Sequence, residues 1–213
     1  MRKKSPETIN IVLRNHQIKV DDWRFHKLVA DLHIWSERII LDFKLEVQGV
    51  PALMIERLRK RLGHYRIGRN GFGLRDEIAL DEHHVESSPY WQVLGTLTHE
   101  CIHLWQEYNG TPPGPNSHNY HNRQYRQKAE ELGLIVDQYG HTQFAPGNTL
   151  FLNLLRRYGI QVPKIPKPKF PSRQKCGSTL TLYECSCGVK VRVGRRRLNA
   201  KCLDCGSLFR QKR

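Results

Sequence analysis

Residues 99 to 103 read His-Glu-Cys-Ile-His, and no other stretch constrains the fold of this chain so tightly. Side chains four residues apart on a helix stand on one face a turn apart, so His99 and His103 are placed to hold one metal ion between two imidazole nitrogens. Glu100 then lies beside that ion. There a carboxylate can take a proton from a water molecule that Zn²⁺ has acidified to a pKa of about 7. The flanking residues support a helix from Ser88 to Gly110. Ser87 or Ser88 can accept from a free N–H at its start, Pro89 suits the first helical position, and Gly110 can close the end in a left-handed conformation. Leu94, Leu97, Cys101, Leu104, Trp105 and Tyr108 recur at threes and fours as a core stripe. At about 100° per residue His99 and His103 fall opposite the middle of that stripe, with Glu100 on the flank. The expectation is a helix that packs by one side and turns its metal side to a cleft.

Catalytic zinc usually takes three protein ligands, so a third lies outside this motif. Beyond Gly110, the loop TPPGPNSHNY leads into HNRQYRQKAEELGL, where Tyr125, Ala129 and Leu132 with Gly133 as the stop predict a second helix. His121, at its start, is the candidate ligand. His118 competes with it, and spacing alone does not separate the two.

The residues His99 to Gln106, followed by Tyr120-His121-Asn122-Arg123-Gln124-Tyr125 and then Lys128 to Leu134, resemble the SprT-like (Spartan-related) zinc metallopeptidase family. In that family a helix bearing His-Glu-x-x-His is followed by a histidine that opens a second helix. The resemblance runs from about Leu28 to Gly133 and gives the third-ligand role to His121. Asn122 stands where glycine is commoner, and Tyr125 where Phe or Trp is usual. It implies an α+β minimal zincin-like core, Glu100 as general base, one catalytic Zn²⁺ on His99, His103 and His121, and substrates that are proteins bound or crosslinked to DNA.

Six cysteines, four in close pairs near the C-terminus, fit metal ligation in a reducing compartment. Cys185-x-Cys187 and Cys202-x-x-Cys205 form a four-thiolate set for one structural Zn²⁺, with Gly188 and Gly206 turning the chain after each pair. Cys176 is left over, and Cys101 belongs to the core stripe. A small β zinc-ribbon domain over 176–213 is expected, like the ribbons appended to SprT-like proteins. Its folding would depend on the metal. A Pro/Lys-rich stretch, 161–175, reads as an extended linker between it and the metallopeptidase domain, 1–160.

The net charge of +15 is uneven. Residues 164–213 hold fourteen Lys/Arg against Glu184 and Asp204, whereas the first 163 residues hold twenty-one bases and eighteen acids. The cationic face of the ribbon, Lys190, Arg192, Arg195, Arg196 and Arg197, therefore looks toward DNA, through sequence-independent backbone or single-strand contacts, with Tyr183 and Phe209 available for stacking. No apolar run approaches 18 residues and the N-terminus lacks a secretory pattern, so a cytoplasmic, nucleoid-associated if bacterial, non-secreted monomer without membrane contact is expected.

Elsewhere the reading is coarser. Residues 1–20 say little; Asp21 or Asp22 caps a helix through Trp23, Leu28, Leu32, Trp35 and Ile39; Ile40–Val47 alternates as a strand; Ala52–Leu62 is a short helix. Tyr65–Arg69 and Phe72–Leu80 form a hairpin about Asn70-Gly71, and the edge of the second strand is a candidate rail for an extended peptide. His26, His33, His83, His84 and His141 are read as surface or packing residues. Asn148 caps a last helix, Leu150 to Tyr158. Two rival functions share these features: a nucleic-acid-binding protein with a purely structural histidine site, and an adaptor that recruits through linker and ribbon.

Overall fold

The computed structural model describes residues 9–112, 121–168, 180–194 and 197–212 and is a mixed α+β structure. The chain divides into two units, Met1–Pro168 and Lys169–Arg213. In the first, helix α1 (Ile9–Lys19) leads into α2 (His26–Asp42), which packs on α4 (Tyr90–Asn109). Between α2 and α4 run β1 (Ala52–Glu56), β2 (Gly63–Arg66), β3 (Glu77–Asp81) and the short α3 (Glu82–Ser87). After α4 come α5 (Arg123–Leu132), β4 (Leu134–Val136), β5 (Thr142–Phe144) and α6 (Leu150–Arg157).

The main sheet has the order β1-β3-β2, with β1 parallel to β3 from Ala52↔Glu77 and β2 antiparallel to it from Gly63↔Leu80. Leu32, Trp35 and Ile39 of α2, Ile78 and Leu80 of β3, and Leu94, Leu97 and Ile102 of α4 are almost wholly buried in one cluster, joined by Tyr125, Phe151 and Leu155. Val162 and Ile165 also pack against it, carrying the chain along the core beyond α6.

Several elements differ from expectation. The alternation at Leu41–Val47 is not a strand: α2 continues to Asp42, and Phe43 and Leu45 turn inward while Leu41 stays exposed, so the period comes from core packing without a ladder. Ala52–Glu56 is strand rather than helix, because pairing with β3 overrides a weak local preference. Residues 9–19 are helical. Asp21 and Asp22 do not cap α2; Phe25 precedes it without a side-chain cap. The hairpin is present, but its connection spans residues 67–76 and is organised by the Asn70 side chain, whose Oδ1 accepts from Phe72 N and Leu74 N at 2.8 and 3.0 Å. Helix α4 begins after Pro89 with no side-chain cap, Gly110 is extended, and Thr149 rather than Asn148 caps α6. Because β3 lies in the middle of the sheet, the edges belong to β1 and β2, and β2 is the one that lines the cleft.

His33 ties the first helices to the sheet. Its Nε2 lies 3.0 Å from Gln17 Oε1, and Gln17 Nε2 donates to the Leu53 carbonyl at 2.7 Å. Burial, with Arg14 nearby, lowers its pKa to about 4. The unfolded chain therefore binds this proton more readily than the native one, so His33 destabilises the fold progressively as pH falls from about 6.5 to 4, by up to ~3 kcal/mol. Urea unfolding across that window should show a steeper acid loss in the wild type than in His33→Gln. Equal pH profiles would remove His33 from the acid response.

The second unit is a three-stranded sheet in the order β7-β6-β8, from β6 (Thr181–Glu184), β7 (Lys190–Val193) and β8 (Arg210–Gln211). Among its described residues the buried apolar side chains are Tyr183, Cys185 and Cys202. No helix among the described residues is long and apolar enough to cross a membrane.

Candidate metal centre

Three imidazoles meet at one point. His99 and His103, one turn apart on α4, are joined by His121 from the segment entering α5, and His121 Nε2 lies 3.0 Å from Nε2 of each. A neutral imidazole carries one N–H, so three ring nitrogens cannot satisfy one another in pairs at these distances. They suit three lone pairs aimed at a single cation. Burial foremost, and mutual repulsion after it, lowers the pKa of His99 to about 3 and holds His103 well below its ordinary value, which keeps those rings neutral and able to ligate. His118 lies outside the described residues.

The surroundings fix the rings. Thr142 Oγ1 donates its one proton to the Gly140 carbonyl at 3.2 Å and lies 3.0 Å from His99 Nδ1. A metal on His99 Nε2 requires the proton on Nδ1, and Thr142 Oγ1 is placed to accept it. Tyr125, fully buried, donates to the His99 carbonyl at 2.8 Å and sets its ring 5.2, 4.3 and 4.6 Å from those of His99, His103 and His121. Asn122 caps α5 by accepting from Tyr125 N at 3.0 Å, and the same oxygen accepts from Gln106 Nε2 of α4 at 2.8 Å. Its Nδ2 donates to the Thr111 carbonyl at 2.8 Å. Asp137 shapes the next turn by accepting from the N–H groups of Tyr139 and His141, which brings Gly140 against His121. Gly140 has φ +90, and a Cβ there would stand 2.6 Å from His121 Cε1. Only glycine fits that approach.

Thr142→Val keeps the shape and removes the acceptor for His99 Nδ1–H. Metal affinity at the histidine site should fall about 10- to 100-fold while the fold persists, as measured by competition with a chelator. Unchanged affinity would show that the tautomer is set by something else.

Glu100 is buried, and burial raises its pKa to about 8 against the opposing pull of the Tyr65 backbone N–H and Arg61. That N–H comes from β2, so the free edge of the sheet lies directly against the carboxylate. A Cβ on Gly63 would reach within 2.7 Å of Glu100 Oε1 and 2.8 Å of Thr96 Cγ2, so glycine is what lets the strand approach. The cleft, about 920 Å³, takes in all three histidines, Glu100 and the β2 edge.

The helix bearing the motif is buried on most of its circumference, since His99 and Glu100 are enclosed along with its apolar stripe. His84, expected in solvent, is buried beside the cleft, with Nδ1 2.7 Å from Ser88 Oγ and Nε2 2.9 Å from Thr96 Oγ1. His33 is buried, His83 is exposed, and His141 is an exposed partner of Asp137. Gln106 of α4 falls within the stretch that carries the resemblance, whereas Thr142, Gly63 and Gly140 complete the site without any sequence signal.

In the second unit Cys185, Cys187, Cys202 and Cys205 gather with their sulfurs within 4.8 Å of one another, while Cys101 is buried in the first. Gly188 and Gly206 both have positive φ, and the N–H groups of Val189 and Ser207 face sulfurs of the two pairs. These four residues, like the three histidines, suit a metal ion such as zinc. Cys176 lies outside the described residues. Lys190 and Arg192 are exposed on β7, and Arg197 is exposed beyond it; Arg195 and Arg196 are outside the described residues. Tyr183 is buried and cannot stack on a base, whereas Phe209 is half-exposed. Protein-family models, curated proteins and solved structures contain no match to this chain, so the chemistry of its site stands on the geometry of its own residues.

Proposed function

We propose that the chain is a zinc-dependent endopeptidase of the SprT-like kind that cuts proteins bound or crosslinked to DNA. The observation that carries this reading is the convergence of three imidazoles beside a buried carboxylate at the β2 edge of the sheet. A Zn²⁺ held by His99, His103 and His121 would act as a Lewis acid toward the scissile carbonyl and acidify the attacking water. Glu100 takes the proton from that water and passes it to the leaving amine. The edge of β2 takes an extended substrate by main-chain pairing, the role first expected of β3, and lays the scissile bond across Glu100.

The four-cysteine unit fits a zinc ribbon with a structural Zn²⁺, and its exposed cations support a sequence-independent grip on DNA. Location in the cytoplasm or on a nucleoid follows from this reading.

The full-length protein should cleave a DNA-bound protein, faster with single-stranded DNA, and a hydroxamate chelator should stop it. Removing residues 169–213 should weaken DNA binding and flatten its salt dependence by about 0.7 in log–log slope per lost phosphate contact. A chain that binds no hydroxamate and cuts nothing would favour a purely structural histidine site.

A further inference from the structure

The cations of the first unit are as uneven as those of the whole chain. From Arg57 to Arg75 there are seven Lys/Arg and no acid, within a unit, Met1–Pro168, that totals twenty-three bases and eighteen acids. Without this segment the unit would carry −2. A unit that is acidic elsewhere thus concentrates positive charge on β2 and its two flanking loops.

Both loops are exposed. The first holds Arg59, Lys60 and Arg61 in a row at the rim of the cleft, with Lys60 at φ 60. Arg57 pairs with Glu82 and Arg66 with Glu77, whereas Arg59, Lys60 and Arg75 make no ion pair among the described residues. The second loop presents Phe72, 89% exposed, between Arg69 and Arg75. This presentation is built rather than loose. Asn70 Oδ1 holds the N–H groups of Phe72 and Leu74, Asn70 Nδ2 donates to Glu77 at 2.5 Å, and Arg69 donates to the Gly73 carbonyl at 2.6 Å. An aromatic ring held out in water on a braced loop and flanked by arginines offers a face for base stacking, and a row of exposed cations suits successive phosphates.

We propose that the segment Arg57–Arg75 is a single-stranded nucleic-acid platform on the first unit itself, separate from the four-cysteine unit. Arg59, Lys60 and Arg61 meet phosphates at one end of β2, and Phe72 stacks on a base at the other. The strand β2 rises about 3.3 Å per residue, so its four residues set the two loops roughly 13 Å apart, a span of two or three nucleotides. An acidic peptide would meet the same cations but has no use for the exposed ring. The inference shares with the reading above only its nucleic-acid partner and does not depend on peptidase activity.

The test uses the full chain and a fluorescent oligo-dT, titrated over a range of salt. Arg59→Ala/Lys60→Ala/Arg61→Ala should lower affinity and reduce the salt slope by about 2, the value for three phosphate contacts. Phe72→Ala should weaken single-strand binding about tenfold and leave duplex binding unchanged, with Phe72→Trp restoring it. Thermal melting checks folding, and Phe72→Ala carries the test if the triple variant does not fold, since that side chain packs against almost nothing. Wild-type affinity in both variants would overturn the platform, as would unchanged DNA binding with a selective loss of cleavage of acidic peptides. Wild-type protein that binds no oligo-dT would sink the nucleic-acid reading of both units, yet leave the peptidase reading open to its own assay.

Discussion

Glu100→Gln is expected to reduce proteolysis by about a thousandfold or more, within the range for loss of a general base, while both metal sites stay filled. The substitution is nearly isosteric and keeps an oxygen for the Tyr65 N–H, so the approach of β2 is undisturbed. What disappears is a site that can accept and return a proton. A second consequence separates this loss from misfolding. Burial raises the folded pKa of Glu100 from 4.5 to about 8, so the metal-free native state holds its proton more tightly than the unfolded chain does. The native state therefore bears a cost above pH 4.5 that grows until pH reaches about 8. Gln carries no such cost. Metal-free Glu100→Gln should melt higher than metal-free wild type at pH 8, and the gap should close toward pH 4.5. A variant that is both inactive and less stable would point to damage rather than to lost chemistry, and retained proteolysis would end the assignment.

Cys202→Ser is expected to unfold the second unit and leave the first intact. Among the described residues of that unit only Tyr183, Cys185 and Cys202 are buried apolar side chains, far too little to offset the conformational entropy of ordering about 30 residues. Metal ligation must supply the difference, and a structural zinc site contributes about 10–16 kcal/mol in apparent terms. Loss of one thiolate should abolish the β6-β7-β8 ladder, seen as collapse of the amide signals of residues 181–211, release one equivalent of zinc and lower DNA affinity. Helical signal from the first unit should not change. Cys176→Ser, which changes the cysteine left over from the two close pairs, should retain the metal and the fold. A folded, metal-free Cys202→Ser unit would show that the sheet stands without its ion.

The parts of this architecture that were legible in the sequence are those where several local signals coincide. The His99–His103 helix, α5 with its Gly133 stop at φ 97, and the cysteine turns at Gly188 and Gly206 each combine a period, a terminator and a chemical spacing. The failures have one physical cause: side chains answer to tertiary partners that spacing does not reveal. Leu41–Val47 alternates because Phe43 and Leu45 face the core, not because a strand lies beside it. Ala52–Glu56 is a strand because Glu77–Asp81 returns alongside it. His84 is enclosed because Ser88 and Thr96, on either side of a helix start, close over it. Within the site, the ligands could be read from spacing and family resemblance, but the groups that orient them could not. Thr142 is 43 residues from His99, and nothing in a polar loop marks the hydroxyl that fixes a histidine tautomer.

The clamp at the end of α4 has a further consequence. Thr111 N–H donates to Gln124 Oε1 at 2.7 Å, and the Thr111 carbonyl accepts from Asn122, which Gln106 holds in turn. Thr111, just past the end of α4, is thus tied to Asn122 and Gln124 at the start of α5. Closing a loop of twice the length costs only about 0.6 kcal/mol more. The stretch of sequence between Thr111 and Asn122 can therefore change in length at little cost while the two residues stay joined.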